Sequence, residues 1–568
     1  MSTERELTLR ALLTGILLGA ILTPSNVYSG LRIGWSFNMS IISLLLAFGF
    51  WRLYSRQRQE AAWTLRESNI CQTTASAAAS IISGGLVAPI PAYTLISGQQ
   101  IDAVPLMAWV FSVSFLGVWV AWYLRGPLLD SGLRFPEGMA TLETMQDIFR
   151  HGGEAIKRIA VLFSAALASG TLKWIDDFVW HLPRWTPGVY LERLTFTLDP
   201  SLLLIGFGGI IGLRVGLSLL LGAVLAWGGL GSWLLDSGHI VLLPDSHGPQ
   251  FKALVEWLLW PGVSLMVSAT LANLLARYLV RLRRGEANNP SIGLPPRPSG
   301  IPLVGMLASS ALVVTLQILL FDIDPLMAVL TLPLAMLLAL VAARVVGETA
   351  ISPIGAVGKL SQLSFGLIAP GQPTLNLMSA NTAGGAAGQC ADLMNDFKVG
   401  RAIGTTPERQ LFAQCVGIFI GSIVGVLAYQ LLIPDPQGML LTEQWPAPAV
   451  ATWKAVAEAL TQGLDSVAPS ARWAMLAALL SGSLIGVGEG LLPPERSRYL
   501  PSCAAVGLAF VIPASLSVMM ASGALLAWLW MSRWRSFAER FVITLAAGLV
   551  AGESFVGVGA SLWQILRH

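Results

Sequence analysis

The sequence predicts an all-α polytopic integral membrane protein, with about 14–17 membrane segments in two structurally repeated halves containing broken or re-entrant helices. Three observations carry that expectation. Only 12% of the 568 residues are charged, whereas soluble proteins carry about 25%. Lys and Arg gather in clusters separated by long apolar runs, and the mean hydropathy is +0.67. The order of elements then recurs at an offset of about 300 residues. So few charges cannot cover a large soluble surface, which excludes a soluble enzyme, a nucleic-acid binder and a disordered scaffold. A net charge of +3 is too small to imply a polyanionic partner. The partner that remains is the lipid bilayer.

The basic clusters place the loops. Arg52, Arg56, Arg58 and Arg66 follow the second apolar run, and Arg125, Arg134, Arg150, Lys157 and Arg158 bracket residues 126–156. Further clusters lie at Arg277–Arg284, Lys398–Arg409, Arg496–Arg498 and Arg533–Arg540. Linkers 86–102, 236–250, 322–326 and 434–452 carry no Lys or Arg. By the positive-inside rule the clusters are cytoplasmic and the bare linkers lie on the far side, with the N-terminus inside.

That rule orders the elements. Residues 7–24 go out as a retained first helix, because no small-residue cleavage site follows them, and 33–53 come back. Residues 66–89 and 104–125 form the next pair, and 136–149 stay near the inner face as a re-entrant or amphipathic helix. Residues 158–180 go out, 200–212 and 216–235 form a broken pair, and 253–280 return. A Pro- and Gly-rich linker, 285–300, separates the halves. Residues 301–321, 327–346, 349–368, 374–394 and 410–433 follow. Residues 450–465 read as an amphipathic outer helix, then 472–491 return. Residues 501–530 begin and end beside basic clusters, so they turn inside the membrane, with Pro513 as the break. Residues 541–566 finish the chain.

In this scheme residues 1–300 form the first transmembrane repeat, 301–326 a linking helix and 327–568 the second repeat. TTASAAAS at 73–80 falls in register with NTAGGAAG at 381–388. One crossing by the linking helix would invert the second half relative to the first, and inverted halves exchange inside-open for outside-open states. One crossing fewer or more would make the repeat parallel.

Candidate functional residues are polar groups where lipid is expected. Small residues explain the Ala, Ser and Gly content of 68–84 and 376–396 as close helix packing. They do not explain Asn69, Gln72, Asn381, Gln389 and Asp392, which are costly at membrane depth unless paired or hydrated. Glutamates follow Gly or Pro at Glu137, Glu348, Glu489 and Glu553. There a carboxyl can carry a proton or face a cationic group, or simply mark an interfacial helix end. Asp176-Asp177 reads as a solvated helix end, and His151, His181, His239, His247 and His568 lie in loops without zinc spacing. Cys71, Cys390, Cys415 and Cys503 read as buried free thiols. There is no Walker sequence for ATP, and no H-E-x-x-H or G-x-S-x-G element for intramembrane hydrolysis. Two rivals from other classes are an intramembrane prenyltransferase, for which Asp392, Asp396 and Asp176-Asp177 are poorly spaced, and a passive channel, which would show pore rings instead of an internal repeat.

Several segments carry a resemblance. NVYSGLRIGWSFNMSI (26–41), SNICQTTASAAASI (68–81), LRFPEGMATLETMQD (133–147), GGAAGQCADLMNDFKVGRAIGTTPERQLFAQCVG (384–417) and LPSCAAVGLAFVIPASLSVMMASGAL (500–525) resemble, in order, blocks of the oligopeptide transporter (OPT) family. The chain is similar to a prokaryotic member related to the yellow-stripe-like branch; the Asn-Pro-Gly signature of the fungal peptide branch is absent. The resemblance implies a transporter, not an enzyme, needing no cofactor or resident metal, that imports small oligopeptides or peptide-like compounds by proton symport, or alternatively metal chelates of nicotianamine or siderophore type. It implies a bacterial inner-membrane location. By position it makes Asn26, Tyr28, Arg32, Asn69, Gln72, Asn381 and Gln389 substrate-binding candidates. Glu137, Asp392, Glu489 and Glu553 stand as proton-coupling candidates. Arg32 is suited to a substrate carboxylate, because the guanidinium fork matches it in two bonds, and Glu553 or Asp392 to an amine or the coupling proton. Unwound backbone near Gly30 and Gly34 would help hold the ligand. A homodimer follows only from the frequency of two-fold assemblies.

Overall fold

The structure, a computed structural model, describes residues 5–34, 39–58, 62–130, 133–150, 152–238, 249–283, 300–349, 354–463 and 467–567. The linker 285–299, residues 35–38 of the first family-like block, and His151, His239, His247 and His568 lie outside the described residues. So does the side chain of Glu348.

Helices account for nearly all of the described chain. In order they are α1 (Leu9–Ile33), α2 (Ser40–Arg58), α3 (Leu65–Ala79), α4 (Pro89–Ser97), α5 (Ala103–Asp130), α6 (Pro136–Arg150), α7 (Gly152–Trp174), α8 (Val189–Arg193), α9 (Leu202–Ile211), α10 (Leu213–Ala223), α11 (Ser232–Asp236) and α12 (Phe251–Arg283). The rest are α13 (Ile301–Phe321), α14 (Pro325–Thr349), α15 (Ile354–Ile368), α16 (Pro373–Ile403), α17 (Pro407–Leu432), α18 (Pro436–Met439), α19 (Pro448–Gln462), α20 (Pro469–Leu491), α21 (Pro494–Ser497), α22 (Cys503–Ala509), α23 (Ala514–Arg533) and α24 (Arg535–Arg567). Among the described residues 12 helical spans are long and apolar enough to cross a membrane, and three shorter apolar helices accompany them. The protein is an all-α polytopic membrane protein, as the sequence predicts.

Local chemistry sets the helix ends, and two differ from the sequence expectation. The first helix does not stop at residue 24. Pro24 sits inside α1, so Asn26, Tyr28 and Gly30 are helical, and only Gly34 takes a left-handed conformation (φ 71°). Proline removes one backbone hydrogen bond, which neighbouring helices in a membrane bundle tolerate. Residues 66–89 are not one helix. α3 starts on a capping box in which Thr64 and Glu67 satisfy each other's backbone N–H, and it ends at Ala79 in a tight turn over Ser80–Gly84. Gly85 (φ 120°) has room for no Cβ, because the Asn381 side chain occupies that space at 2.6 Å. α7 runs into a π-helical turn, Ile175–Val179, that carries Asp176 and Asp177. The turn at Pro513 falls where expected, between α22 and α23.

The chain forms two compact units, each drawing helices from both sequence halves. Unit 1 comprises residues 1–30, 35–159 and 289–434; unit 2 comprises 31–34, 160–288 and 435–568. In unit 1, α16 is the central helix, with α3, α5, α14, α15 and α17 packed around it, and 24 of its 31 residues are buried. Glycines permit these approaches. Gly117 of α5 lies against the Ala386 carbonyl of α16, and Gly421 of α17 lies against the Ala78 carbonyl of α3. In unit 2, α12 packs along α20, while α24 lies against α7 through Gly548 and Gly552. The broken pairs α9–α10 and α22–α23 also pack on each other, through Gly208, Gly222 and Gly523.

Candidate functional site

Two groups of polar residues emerge, one inside each unit. In unit 1 the break after α3 exposes carbonyls that side chains must satisfy. Asn26 donates to the Ala79 carbonyl at 2.8 Å. Asn381 donates to the Gly84 carbonyl at 3.0 Å and accepts from the Trp109 indole at 2.8 Å. Tyr28 is buried on the same helix as Asn26. Asn26 and Asn381 thus sit where the broken backbone needs partners.

Further along α3 and α16 lies a layer of amides and acids. Gln72 Nε2 stands 2.9 Å from Asp396 Oδ1 and 3.2 Å from both Asn69 Oδ1 and Thr73 Oγ1. Asn69 also donates to Thr405 at 3.3 Å. Gln389 donates to Ser80 Oγ at 3.1 Å and accepts from Gln414 at 3.1 Å. Asp392 is half-buried and interacts with Ser80. Glu137 begins α6 and accepts from Asn395 at 3.3 Å. Of the sequence candidates, Asn69, Gln72, Gln389, Asp392 and Glu137 therefore meet around one stretch of α16.

Unit 2 holds a small, partly open charged pocket. It is lined by Arg32, Leu172, Lys173, Asp176, Arg184, Asp199, Pro200, Ser201 and Glu553. Arg32 comes from the last turn of α1, Lys173 and Asp176 from the end of α7 and its π turn, and Asp199 and Ser201 from the entry to α9. Glu553 forms the floor, 3% exposed. One of its oxygens accepts from Ser201 Oγ at 2.7 Å and the other from the Leu203 N–H at 2.8 Å. It thereby caps α9, where a helix N-terminus favours an anion. At the rim Arg184 is about half exposed. Its guanidinium lies 3.8 Å from Asp176 and 3.7 Å from Asp199, and Arg32 lies 3.9 Å from Asp199. These are ion pairs beyond hydrogen-bond reach, so charge is concentrated without being locked into direct bonds between those groups.

Arg32 and Glu553 thus share one pocket. Glu489 does not belong to it; it pairs with Arg214 and accepts from Asn273 at 3.2 Å. Sequence reasoning missed Lys173, Arg184, Asp199 and Ser201, which lie at helix ends and in a loop without periodicity. It read Asp176 as a solvated helix end, whereas Asp176 is buried and accepts the Leu182 N–H at 2.9 Å. The doublet Asp176-Asp177 beside Lys173 was the available signal. Among the described residues no cluster of His, Cys, Asp and Glu is suited to a bare metal ion, and the four cysteines are free.

Comparison with known proteins decides the family. The model of the OPT oligopeptide transporter protein family matches residues 6–285 and 298–564. The chain belongs to the OPT family. A Saccharomyces cerevisiae protein that carries the name oligopeptide transporter is 24% identical, covering 98% of this chain and 95% of its own. An Oryza sativa subsp. japonica protein named for metal–nicotianamine transport is 24% identical over 99% of this chain and 90% of its own. The metal-nicotianamine transporter YSL1 of Arabidopsis thaliana is 23% identical over 97% and 90%. This family of transporters accounts for the polytopic fold and for polar groups held among apolar helices.

Proposed function

We propose that this OPT-family protein is a secondary active transporter that imports small oligopeptides or peptide-like zwitterions with protons by alternating access. The observation that carries the reading is that both signs of charge line the unit 2 pocket. Three cations (Arg32, Lys173, Arg184) and three acids (Asp176, Asp199, Glu553) line it, and Lys173 is itself paired with Asp177 at 2.7 Å. A ligand that bears a carboxylate and an amine meets both signs. Arg32 is the candidate for the ligand carboxylate, and Asp176 and Asp199 face its amine. A chelate built on an amino-acid-like ligand carries the same groups, and relatives named for metal–nicotianamine transport match over nearly the whole chain. That makes a metal chelate the second reading.

In this reading the N-terminus is cytoplasmic, the membrane is a bacterial inner membrane, and the two halves are repeats. The repeat is supported by matched contacts. Ala78 and Ala386, aligned at the same register, each offer a carbonyl to a glycine, Gly421 and Gly117. The test is uptake into sealed proteoliposomes under an imposed inward proton gradient, with di- to hexapeptides in one arm and iron or nickel nicotianamine in the other. Gradient-dependent accumulation of peptides supports the first reading. Accumulation of the chelate alone supports the second, and accumulation of neither from a folded protein rejects both.

A further inference from the structure

Asp396 is a carboxylate without a cation. It lies on α16 at 4% exposure and forms no ion pair among the described residues. The charged groups on the helices around it are placed otherwise. Glu67 of α3 is held by Arg10 at 2.6 Å. Arg125 of α5 stacks on Trp122, 3.8 Å from the ring centre. Arg409 of α17 pairs with Glu6. Lys398, on the same helix, donates to the Leu133 carbonyl. Lys359 of α15, Arg344 of α14 and Glu408 of α17 make no ion pair with it, and Glu137 of α6 reaches Asn395 instead. A buried ionised carboxylate without a counter-charge is among the most expensive groups in a membrane protein.

A second, independent observation lies beside it. Gln72 is fully buried, and its Oε1 accepts no hydrogen bond among the described residues. Its Nε2 meanwhile has two hydrogens to give, to Asp396 and to Asn69, and the Thr73 hydroxyl also hydrogen-bonds Asp396. The site thus holds a buried acceptor without a donor beside an acid without a counter-charge. One proton placed on Asp396 corrects both. The carboxylic acid then needs an acceptor, and a half-turn of the Gln72 amide supplies Oε1 in place of Nε2. That torsion is broad and roughly two-fold.

We propose that Asp396 is the group that takes up and releases the coupling proton, with Gln72 of α3 as its two-position partner. The proton comes from water and returns to water. When it is bound the Asp396 O–H donates to Gln72 Oε1; when it is lost Gln72 Nε2 donates to the carboxylate. Asp392, one helical turn earlier on the same face of α16 and half-buried, serves as the way in. The inference rests on the proton-coupled reading above and assigns its proton to unit 1, apart from the charged pocket.

The experiment uses the full-length protein in lipid and two readouts. Infrared difference spectra on an acid jump, without any substrate, read the C=O stretch of a buried carboxylic acid. That band is expected in the unsubstituted protein, to disappear in Asp396→Asn, to persist in Glu553→Gln and to shift in Gln72→Leu. A band that survives Asp396→Asn overturns the proposal. A band that Gln72→Leu leaves in place does so independently of whether Asp396→Asn folds. The second readout is transport of trialanine and of nickel–nicotianamine. One proton at 100 mV supports about fifty-fold accumulation of a neutral solute. Asp396→Asn is expected to reduce this to about one-fold while exchange of the same solute at equal pH persists. Gradient-driven uptake that survives in this variant, or that requires sodium, overturns the proposal. If neither solute enters through the unsubstituted protein, the transport reading fails and the infrared band still decides the proton site.

Discussion

Glu553→Gln separates two effects of one carboxylate. The first is on stability. The carboxylate takes hydrogen bonds from Ser201 Oγ and the Leu203 N–H at 2.7 and 2.8 Å while 3% exposed. An amide keeps one acceptor for the N–H and can offer its NH2 to the serine, so both bonds survive in neutral form. The loss is the charge assistance, about 0.5–1.5 kcal/mol for each bond, or about 1–3 kcal/mol together. The second effect is on selectivity. The pocket loses one of the three acids that line it, while its three cations stay. At an effective dielectric of about 20 and ~5 Å separation one charge is worth about 3 kcal/mol, and screening at the open rim lowers this to about 1–3 kcal/mol, roughly 5- to 150-fold in affinity. The assay is thermal unfolding in detergent, with and without two ligands of similar size, zwitterionic dialanine and anionic N-acetyl-dialanine. The variant is expected to melt earlier and to shift its preference toward the acetylated ligand. Asp199→Asn makes the same change of charge at a group held by ion pairs of 3.7 and 3.9 Å, so it should reproduce the shift in preference with a smaller loss of stability. Unchanged preference in both variants would refute the pocket-charge argument, whatever the melting temperatures.

Other consequences are as direct. Gly421→Ala puts a Cβ 2.5 Å from the Ala78 carbonyl oxygen, and backbone cannot step aside as a side chain can. A loss of about 1–3 kcal/mol is expected in thermal unfolding, whereas Gly126→Ala, with nothing within 4 Å, should be neutral or slightly stabilising. Arg32→Lys keeps the charge but loses the two-pronged geometry; the apparent KM for a peptide or chelate should rise while N-acetyl-dialanine discriminates less. Glu6 lies before α1 and is pulled both ways. Burial pushes its carboxyl up, but hydrogen bonds from Thr406 and the charges of Arg409 and Arg66 outweigh that and hold it below the usual 4.5. Its contribution is therefore complete above about pH 4.5 and is lost as pH falls through the lower folded value. Glu6→Gln should flatten that acid limb of a stability–pH profile, and an unaltered limb would show that the contact contributes nothing.

The membrane fold is legible because lack of charge and run length are properties of composition, and burial in lipid enforces them. The sites are less so, for different reasons in each unit. Asn69, Gln72, Asn381 and Gln389 stand out because an amide among apolar residues has few uses. Sequence alone does not say that Asn26 and Asn381 serve carbonyls freed by the break after Ala79, since Asn381 meets that break, packed at Gly85, from about 300 residues away in the chain. The pocket in unit 2 gathers residues from 32, 173–201 and 553, a set no local pattern joins. Arg32 and Glu553 are visible singly, as charges in apolar surroundings. Asp176, Asp199 and Arg184 look like ordinary polar residues of a helix end and a loop.

The proposed repeat shows how far partial legibility reaches. TTASAAAS and NTAGGAAG share only small residues, which alone is weak evidence of kinship. In the fold the aligned pair Ala78 and Ala386 makes one kind of contact, carbonyl to glycine, with α17 in one case and α5 in the other. The neighbouring aligned pair behaves likewise: Ala77 meets Gly417 of α17, and Gly385 meets Val113 of α5. In each contact small residues appear where backbones approach, though not always on the same side, so the space is conserved between halves while the identities are not. Such an interface has no long side chains to unlock when helices shift. The polar residues depart from that symmetry, since Gln72 aligns with Ala380 and Asp396 with Ala88. On that alignment the small-residue contacts recur in both halves and the polar chemistry does not. The proton step proposed for Asp396 and Gln72 therefore has no counterpart at the aligned positions, where two alanines stand.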